Sequence, residues 1–331
     1  MLRFDPGDRR IRNTRHFDVY EGGGEYNVAR NLAHSFRSRS AIITSIADNE
    51  IGRLVEDLVR QGGVDTTLIR WVKTDGISSS VRNGLYFWER GYGRRASAGC
   101  SDRANTAISQ LRPDEIDWND IFQTHGARWF HTGGIFAALS ESTSDVAIEA
   151  VTAARRSGSI VSYDLNFRHS LWAHRGGRSA ADALNRKLLP SVDVVFGTLD
   201  YDPSLDGFEP LKFSSAAAAM MDQFPGLKLV CTTLRTVHHG SLHDLSAAVF
   251  DGKDVHVGPT FNGVNVLDRV GSGDAFAAGV VYELLSGRDV GSAVRIGTAA
   301  SLLAMTTPGD SLASTYEEVL QLANSDQLSS R

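Results

Sequence analysis

The sequence predicts an α/β sandwich with a mainly parallel central sheet and a small β lid. Two observations predict this fold class. Helical and strand patterns alternate along most of the chain, as they do when helices connect parallel strands. The predicted strands at residues 192–196 and 227–233 are short and mostly apolar, which is typical of strands that are buried on both faces.

The period of the apolar residues assigns each element in turn. Helices are predicted at residues 27–36, 51–61, 143–156, 180–189 and 214–224. Strands are predicted at residues 41–46, 67–72, 160–166, 192–196 and 227–233. Residues 77–100 lack a helical period, are rich in aromatic and β-branched residues, and contain turn signals at residues 83–84 and 91–93. They are predicted to form antiparallel strands beside residues 4–20.

Composition limits the function classes. The 331 residues are 42% hydrophobic and 22% charged, as in ordinary globular proteins, and the net charge of −5 argues against nucleic acid as a partner. Cys100 and Cys231 are far apart and show no metal-type spacing, so we expect neither a disulfide framework nor a zinc site, and we expect a cytoplasmic protein. The sequence has no signal-peptide core and no run of about 18 apolar residues, so no membrane partner is expected.

Residues 268–276, Asp-Arg-Val-Gly-Ser-Gly-Asp-Ala-Phe, are the most informative motif. They are predicted to form a strand end, a glycine turn and a helix start. Gly271 and Gly273 allow several backbone NH groups to point at one position, where the helix adds partial positive charge, so an anion is expected there. Asp274 could take a proton from a hydroxyl that attacks phosphorus. A simple helix-capping acid is the alternative.

Other motifs are weaker. A P-loop and a dinucleotide-binding glycine motif are both absent. His238, His239 and His243 match no common zinc spacing and are predicted to form a solvated loop cluster. Residues 21–29 open a helix with three glycines, which allow a hydroxylated ligand to approach the backbone, and Asn27 can both donate and accept hydrogen bonds.

Taken together, Asp-x-x-Gly-x-Gly-Asp-x-Phe at residues 268–276 and Gly-Gly-x-x-x-Asn-x-Ala at residues 22–29 resemble the signatures of the ribokinase-like (PfkB) carbohydrate kinases. The resemblance runs from about residue 2 to about residue 320. It implies a three-layer sandwich with a core at residues 21–76 and 106–323, a lid at residues 1–20 and 77–105, and a frayed tail at residues 324–331. It also implies ATP and Mg²⁺ as cofactors.

Three segments are similar to 2-keto-3-deoxygluconate kinases: residues 84–91, 101–107 and 162–172. The resemblance implies that Arg168 binds a sugar-acid carboxylate, that Arg103 meets the carboxylate or the transferred phosphate, and that Tyr86 contacts the sugar. Arg168 could instead pair with Asp164. The remaining implied sugar contacts are Gly23, Gly24 and Asn27.

On the nucleotide side, the resemblance implies contacts from Thr233, Arg235, Thr307, Gly271 and Gly273, with Ser272 completing the catalytic glycine turn around Asp274. The family usually carries Asn-Glu-Glu-Asp after the strand at residues 192–196, whereas this chain has Gly-Thr-Leu-Asp-Tyr-Asp. Asp200 or Asp202 is therefore the candidate to hold Mg²⁺ through water. Ser101 occupies a position where 2-keto-3-deoxygluconate kinases commonly have a tyrosine.

Residues 1–4 align with the middle of the family's opening strand pair. The first core strand is therefore expected to be missing, which would leave two neighbouring strands unpaired. The missing strand has two explanations: a misassigned start codon, or a truncated and impaired protein.

The expected activity is ATP-dependent phosphorylation of the terminal hydroxyl of 2-keto-3-deoxygluconate. The alternatives are a kinase of 5-keto-2-deoxygluconate or a ketohexose, and a catalytically impaired sugar-acid-binding relative. A homo-oligomer formed through the lid is also expected.

Overall fold

The computed structural model describes residues 1–325, so the predicted frayed tail lies mostly outside the described residues. The strands are β1 Leu2–Asp5, β2 Asp18–Glu21, β3 Thr44–Asp48, β4 Ile69–Lys73, β5 Leu85–Glu89, β6 Ala98–Asp102, β7 Trp129–Gly133, β8 Ile160–Asp164, β9 Val194–Phe196, β10 Leu229–His239, β11 Leu242–Phe250, β12 Val255–Val257 and β13 Phe261–Asn265.

The helices are α1 Gly24–His34, α2 Glu50–Gln61, α3 Gly134–Ala137, α4 Glu141–Arg156, α5 His169–Trp172, α6 Gly177–Leu188, α7 Pro210–Gln223, α8 Ser272–Leu285, α9 Val290–Ala304 and α10 Tyr316–Ala323. Local sequence explains several starts, because short polar side chains satisfy NH groups that a helix leaves free. Ser140 caps α4 by accepting from the Thr143 amide, and Asp289 caps α9. Thr315 and Glu318 form a capping box on α10.

The main sheet has the strand order β12-β11-β10-β9-β8-β7, and β13 also pairs with β11. Strands β7 to β10 are parallel to one another, and β11 turns back antiparallel to β10. The predicted strand at residues 227–233 therefore extends to His239, because it forms the first arm of a hairpin.

That hairpin corrects the histidine prediction. His238 and His239 lie in β10 and His243 lies in β11, not in a solvated loop. His238 hydrogen-bonds to Asp244, whereas His243 is buried.

The sheet is the middle of three layers. In β9, Val195 contacts the cluster that holds α4, α6 and α7, whereas Val194 and Phe196 contact the cluster that holds α1, α8, α9 and α10. Strands β10 and β11 alternate in the same way. Both faces of the sheet are therefore covered, which explains why its strands are almost continuously apolar.

A second sheet, with the order β2-β1-β5-β6, contains the lid strands. It joins residues near the N-terminus to the β5–β6 hairpin, as the sequence predicts. One turn prediction is wrong. Asn83 does not form a hairpin turn, because its side chain bonds to the backbone of Ala47 and to Asn49, which fixes the segment before β5 to the end of β3.

Strands β3 and β4 form a separate parallel pair. Within residues 1–325, β3 pairs only with β4, and the last strand of the main sheet, β7, pairs only with β8. The expectation of two unpaired strands is confirmed. A cavity of about 760 Å³ lies between them and extends to the glycines before α1. No helix among residues 1–325 has the length and apolar character needed to cross a membrane.

Candidate active site

The glycine turn before α8 forms one wall of the candidate site. Gly271 precedes α8 with φ of +78°, in the left-handed region that favours glycine, and a Cβ there would overlap the Asp310 carbonyl oxygen. The Cβ of a residue at position 273 would meet no atom within 4 Å. The first NH groups of α8, beginning at Ser272, thus border open space, where an anion can approach them. The preceding strand β13 ends at Asn265, so the turn belongs to a six-residue loop before α8 and does not directly follow a strand end.

Asp274 lies in the first turn of α8, where the Asn27 side chain reaches it from α1. The Asn27 Nδ2 atom donates to the Asp274 Oδ2 atom at 2.7 Å. Burial raises the pKa of Asp274 to about 8, and the nearby carboxylates of Asp164, Asp310 and Glu25 act in the same direction, whereas the bond from Asn27 lowers it. A carboxyl with such a pKa is, once ionised, a stronger base than an ordinary aspartate.

Two carboxylates beside Asp274 were not among the predicted site residues. Burial raises the pKa of Asp164, at the end of β8, to about 6, and burial also raises the pKa of Glu25, in the first turn of α1. One carboxylate oxygen of Glu25 is buried without a partner among the described residues. The sequence could have identified Asp164 as a site residue, because it ends a buried strand of a parallel sheet, where α/β folds bind ligands.

The glycines before α1 face the same place. Gly23 has φ of +143°, and a Cβ at Gly24 would lie 3.6 Å from Asp274 Oδ1. The start of α1 and the start of α8 therefore converge on Asp274. The two glycine motifs, which are about 250 residues apart in sequence, are therefore adjacent in the fold.

Four arginines give the site positive charge: Arg103, Arg168, Arg235 and Arg269. Burial and the proximity of Arg168 lower the pKa of Arg103, and burial with the proximity of Arg269 and Arg168 lowers the pKa of Arg235. Among residues 1–325, none of the four is within 4 Å of a carboxylate. Arg168 is thus not paired with Asp164, and the group can neutralise anionic ligands.

Tyr86 belongs to a buried polar network under the site. Its hydroxyl bonds to the Asp310 carboxylate, and burial raises the pKa of this tyrosine. Arg3, fully buried in β1, pairs with Asp310 at 2.8 Å, with Asp5 at 2.7 Å and with Asp268. The network ties the lid sheet to the glycine turn, and the Tyr86 hydroxyl already has a protein partner.

The nucleotide-side candidates lie on separate elements. Thr233 is in β10, and Thr307, in the loop after α9, has a buried hydroxyl without a partner among the described residues. Asp200 is 80% exposed and lies 3.7 Å from Arg186, and Asp202 is also exposed. No group of three or more His, Cys, Asp or Glu side chains within residues 1–325 is arranged to hold a metal ion. These residues fit a Mg²⁺ ion held mainly by phosphate oxygens and water.

Comparisons with known proteins agree with this geometry. Residues 3–316 match the pfkB family of carbohydrate kinases. The chain is 29% identical over 323 residues to 2-dehydro-3-deoxygalactonokinase of Haloferax volcanii, covering 96% of this chain and 92% of that protein. It is 26% identical to 5-dehydro-2-deoxygluconokinase of Geobacillus kaustophilus, covering 90% and 83%. The crystal structure of 2-dehydro-3-deoxygluconokinase from Thermotoga maritima superposes with a TM-score of 0.88, 31% identity and coverage of 98% and 96%.

The three-layer fold and the family match over residues 3–316 define a carbohydrate kinase. The chain belongs to the pfkB family, and it is related to the kinases of 2-dehydro-3-deoxy and 5-dehydro-2-deoxy sugar acids.

Proposed function

We propose that this kinase transfers the γ-phosphoryl group of ATP to the terminal hydroxyl of 2-keto-3-deoxygluconate, also called 2-dehydro-3-deoxygluconate. The observation that carries the proposal is that Arg103 and Arg168, which pair with no carboxylate within residues 1–325, lie close enough to Glu25 and Asp164, two carboxyls near Asp274, to lower their pKa, which burial raises. A neutral sugar and ATP would need fewer cations than a sugar acid and ATP. The similarity to sugar-acid kinases supports the same substrate class.

In the proposed mechanism, Asp274 accepts the proton of the terminal hydroxyl while that oxygen forms a bond to the γ-phosphorus, and ADP leaves with the electrons of the broken bond. The NH groups at Ser272 and Gly273 stabilise charge on the transferred group. Mg²⁺ bound to the phosphates would neutralise further charge, and Asp200 or Asp202 would hold the ion through its water ligands. Thr233, Arg235 and Thr307 would hold the nucleotide.

Arg168 and Arg103 would bind the carboxylate of the sugar acid, and Gly23, Gly24 and Asn27 would contact its hydroxyl groups. The edge of the Tyr86 ring would contact the sugar and shape the pocket. The hydroxyl would not bind the sugar, because it already bonds to Asp310. The lid sheet would close over the sugar and exclude water, which limits ATP hydrolysis.

The test is ADP release with Mg-ATP and a panel of acceptors: 2-keto-3-deoxygluconate, 2-keto-3-deoxygalactonate, 5-keto-2-deoxygluconate and fructose. Arg168→Met should raise the KM for the sugar acid by about tenfold or more, because a charged hydrogen-bonding partner is lost. The matched control is Arg156→Met, at the exposed end of α4. Turnover of fructose that is indifferent to Arg168 would contradict the sugar-acid assignment.

A kinase of 5-keto-2-deoxygluconate is the second candidate, because several similar proteins carry that name. A preference for this acceptor in the panel would establish it. Binding of sugar acids without any ADP release would instead support a catalytically impaired relative.

We also propose a homo-oligomer through the lid in the cytoplasm. Strand β6 is exposed along its whole length and pairs only with β5 among residues 1–325, so one of its edges can pair with another chain. Light scattering coupled to size exclusion would test this proposal, and a monomer at micromolar concentration would contradict it.

A further inference from the structure

The loop between α9 and α10 is attached to both halves of the candidate site. We call residues 305–315 the bridge loop. The Met305 carbonyl oxygen accepts a 3.2 Å hydrogen bond from the amide of Asp268, in the loop that leads into the glycine turn. Farther along, the Leu312 amide donates a 2.8 Å hydrogen bond to the buried Asn31 side chain of α1. The bridge loop therefore connects the helix that follows the first glycine motif to the turn that begins α8.

Asp310, in the bridge loop, packs against both glycine motifs. It is 4% exposed. A Cβ at Gly271 would overlap its carbonyl oxygen, and a Cβ at Gly22 would overlap its Oδ2 atom. The main chain of Asp310 thus lies against the glycine turn, while its side chain lies against the glycines before α1. Since protein interiors are close-packed, the size and position of this residue set the distance between the two motifs.

The lid sheet holds the Asp310 carboxylate in place. Arg3 Nη1 donates to Asp310 Oδ1 at 2.8 Å, and the Tyr86 hydroxyl donates to Asp310 Oδ2. Arg3 in β1 and Tyr86 in β5 are direct neighbours in the parallel pairing of these two strands. Each carboxylate oxygen therefore has its own partner from the lid. Moving Asp310 would break buried, charge-assisted hydrogen bonds, which is costly because water does not replace them.

We propose that Asp310 is a positioning residue, which fixes the distance between the glycine motif at residues 22–24 and the glycine turn at residues 271–273. It acts through Gly22 and Gly271. In the proposed function the sugar acid binds at the first motif and the phosphate at the second, so their separation places the hydroxyl oxygen relative to the γ-phosphorus. An error of ~1 Å in such a placement costs about 10²-fold in rate. The effect on turnover rests on the proposed function, whereas the ordering of the turn by Asp310 does not.

Three variants separate positioning from general stability. Asp310→Ala removes both hydrogen bonds and the atoms that pack against Gly22. Asp310→Asn keeps the size, and its amide group can accept from Arg3 and donate to the Tyr86 oxygen. Asp5→Ala is the matched control, because Asp5 Oδ2 accepts from Arg3 Nη2 at 2.7 Å but belongs to β1 and not to the bridge loop. Asp5→Ala should therefore lose stability without disturbing the turn.

The first measurement is amide hydrogen exchange of residues 268–276 in the full chain without ligands, under conditions where every variant is folded. We expect Asp310→Ala to raise exchange in this segment about tenfold, because the segment loses a packing partner and opens more readily. Asp310→Asn and Asp5→Ala should exchange there like the parent chain. Unchanged exchange in Asp310→Ala, or an equal increase in Asp5→Ala, would overturn the proposal.

Tyr86→Phe keeps the proposal testable if Asp310→Ala does not fold. Phenylalanine retains the ring and loses only the hydrogen bond to Asp310. Exchange of residues 268–276 should rise about threefold, since one of two restraints on the carboxylate is lost. The matched control is Tyr26→Phe, which loses a hydroxyl–carboxylate bond to Glu21 instead. Parent-like exchange in Tyr86→Phe would contradict the role of Asp310.

The second measurement is ADP release from Mg-ATP with the acceptor that the parent chain turns over fastest. It is made at pH 9, so that Asp274, with a pKa of about 8, is mostly ionised. The kcat of Asp310→Ala should fall about 10- to 100-fold while the KM values for acceptor and ATP change less than about threefold, because each half of the site still binds its own ligand. Asp310→Asn should restore most of kcat, and Asp5→Ala should keep it.

The positioning role and the proposed function fail in different ways. Near-parent kcat in Asp310→Ala, or an equal loss of kcat in Asp5→Ala, would overturn the positioning role. A parent chain that phosphorylates no acceptor would contradict the proposed function, and the exchange measurement would then decide the role of Asp310 by itself.

Discussion

The Asn27 Nδ2 atom donates a 2.7 Å hydrogen bond to the Asp274 Oδ2 atom, although the two residues are 247 positions apart in sequence. This bond joins the start of α1 to the start of α8. It favours the charged form of Asp274, whereas burial and three nearby carboxylates favour the neutral form. The balance gives the carboxyl a pKa of about 8. The Asn27 side chain therefore partly determines whether the proposed base is protonated.

The pH profile of the enzyme should reflect this balance. Because the pKa of Asp274 is raised to about 8 and the base must be ionised, kcat/KM should rise with pH up to about that value. Asn27→Ala removes the hydrogen bond that lowers the pKa of Asp274, so the rise of kcat/KM should move to higher pH. The control is Asn185→Ala, which removes a buried partner of the Tyr163 hydroxyl elsewhere in the core. If kcat/KM of the Asn27 variant rose at the same pH as in the parent chain, the assignment of Asp274 as the base would be contradicted.

Asp274 should also cost stability at alkaline pH. In the unfolded chain an Asp has a pKa of about 4, whereas the pKa in the fold is about 8. Between these values the folded state keeps a proton that the unfolded state has lost, so stability falls as pH rises through this window. Asp274→Asn should therefore melt at a higher temperature than the parent chain at pH 8.5, and the difference should shrink at pH 5. Thermal melting at the two pH values checks this, and a less stable variant at pH 8.5 would contradict it.

The two glycines of the turn should respond differently to alanine. Gly271 has positive φ, and its missing Cβ would overlap the Asp310 carbonyl oxygen. Gly271→Ala should therefore destabilise the fold by ~1–3 kcal/mol and impair turnover. At Gly273 the Cβ meets no protein atom within 4 Å, so Gly273→Ala should keep normal stability. If a phosphate approaches the turn, this variant should still lose turnover, and normal turnover would contradict that placement.

The buried Arg3 network should be a large contributor to stability. Arg3→Met leaves the carboxylates of Asp5, Asp268 and Asp310 without their shared cation, which should lower the free energy of unfolding by ~3–5 kcal/mol. Urea unfolding measures this loss. Arg9→Met, at an exposed position of the same segment, is the control and should change little. A small effect at Arg3 would mean that the buried carboxylates are neutral in the fold.

Local patterns were sufficient to predict much of the fold. Apolar periodicity predicted α2 and α4 within two residues, because their buried faces repeat regularly. It did not reveal that β10 continues to His239, since the hairpin pairing of β10 with β11 decides that end. Asn83 was predicted to form a turn because it precedes a glycine, whereas its contacts with the end of β3 decide its role.

The candidate site was predictable where a motif carries the chemistry, as at Gly271 and Asp274. The raised pKa of Asp274 was not, because it results from burial among carboxylates that come from three other segments. The engagement of the Tyr86 hydroxyl by Asp310 likewise depends on a contact across 224 positions. Such contacts are set by tertiary packing, and no local pattern in the sequence reports them.

The most direct test of the central claim is ADP release from Mg-ATP with 2-keto-3-deoxygluconate, measured for the parent chain and for Asp274→Asn. The exposed Asp222→Asn on α7 is the matched control. The account predicts turnover in the parent chain and the control, and a loss of about 10² to 10⁴ in kcat for Asp274→Asn with little change in sugar affinity. Near-normal turnover of Asp274→Asn would contradict the account.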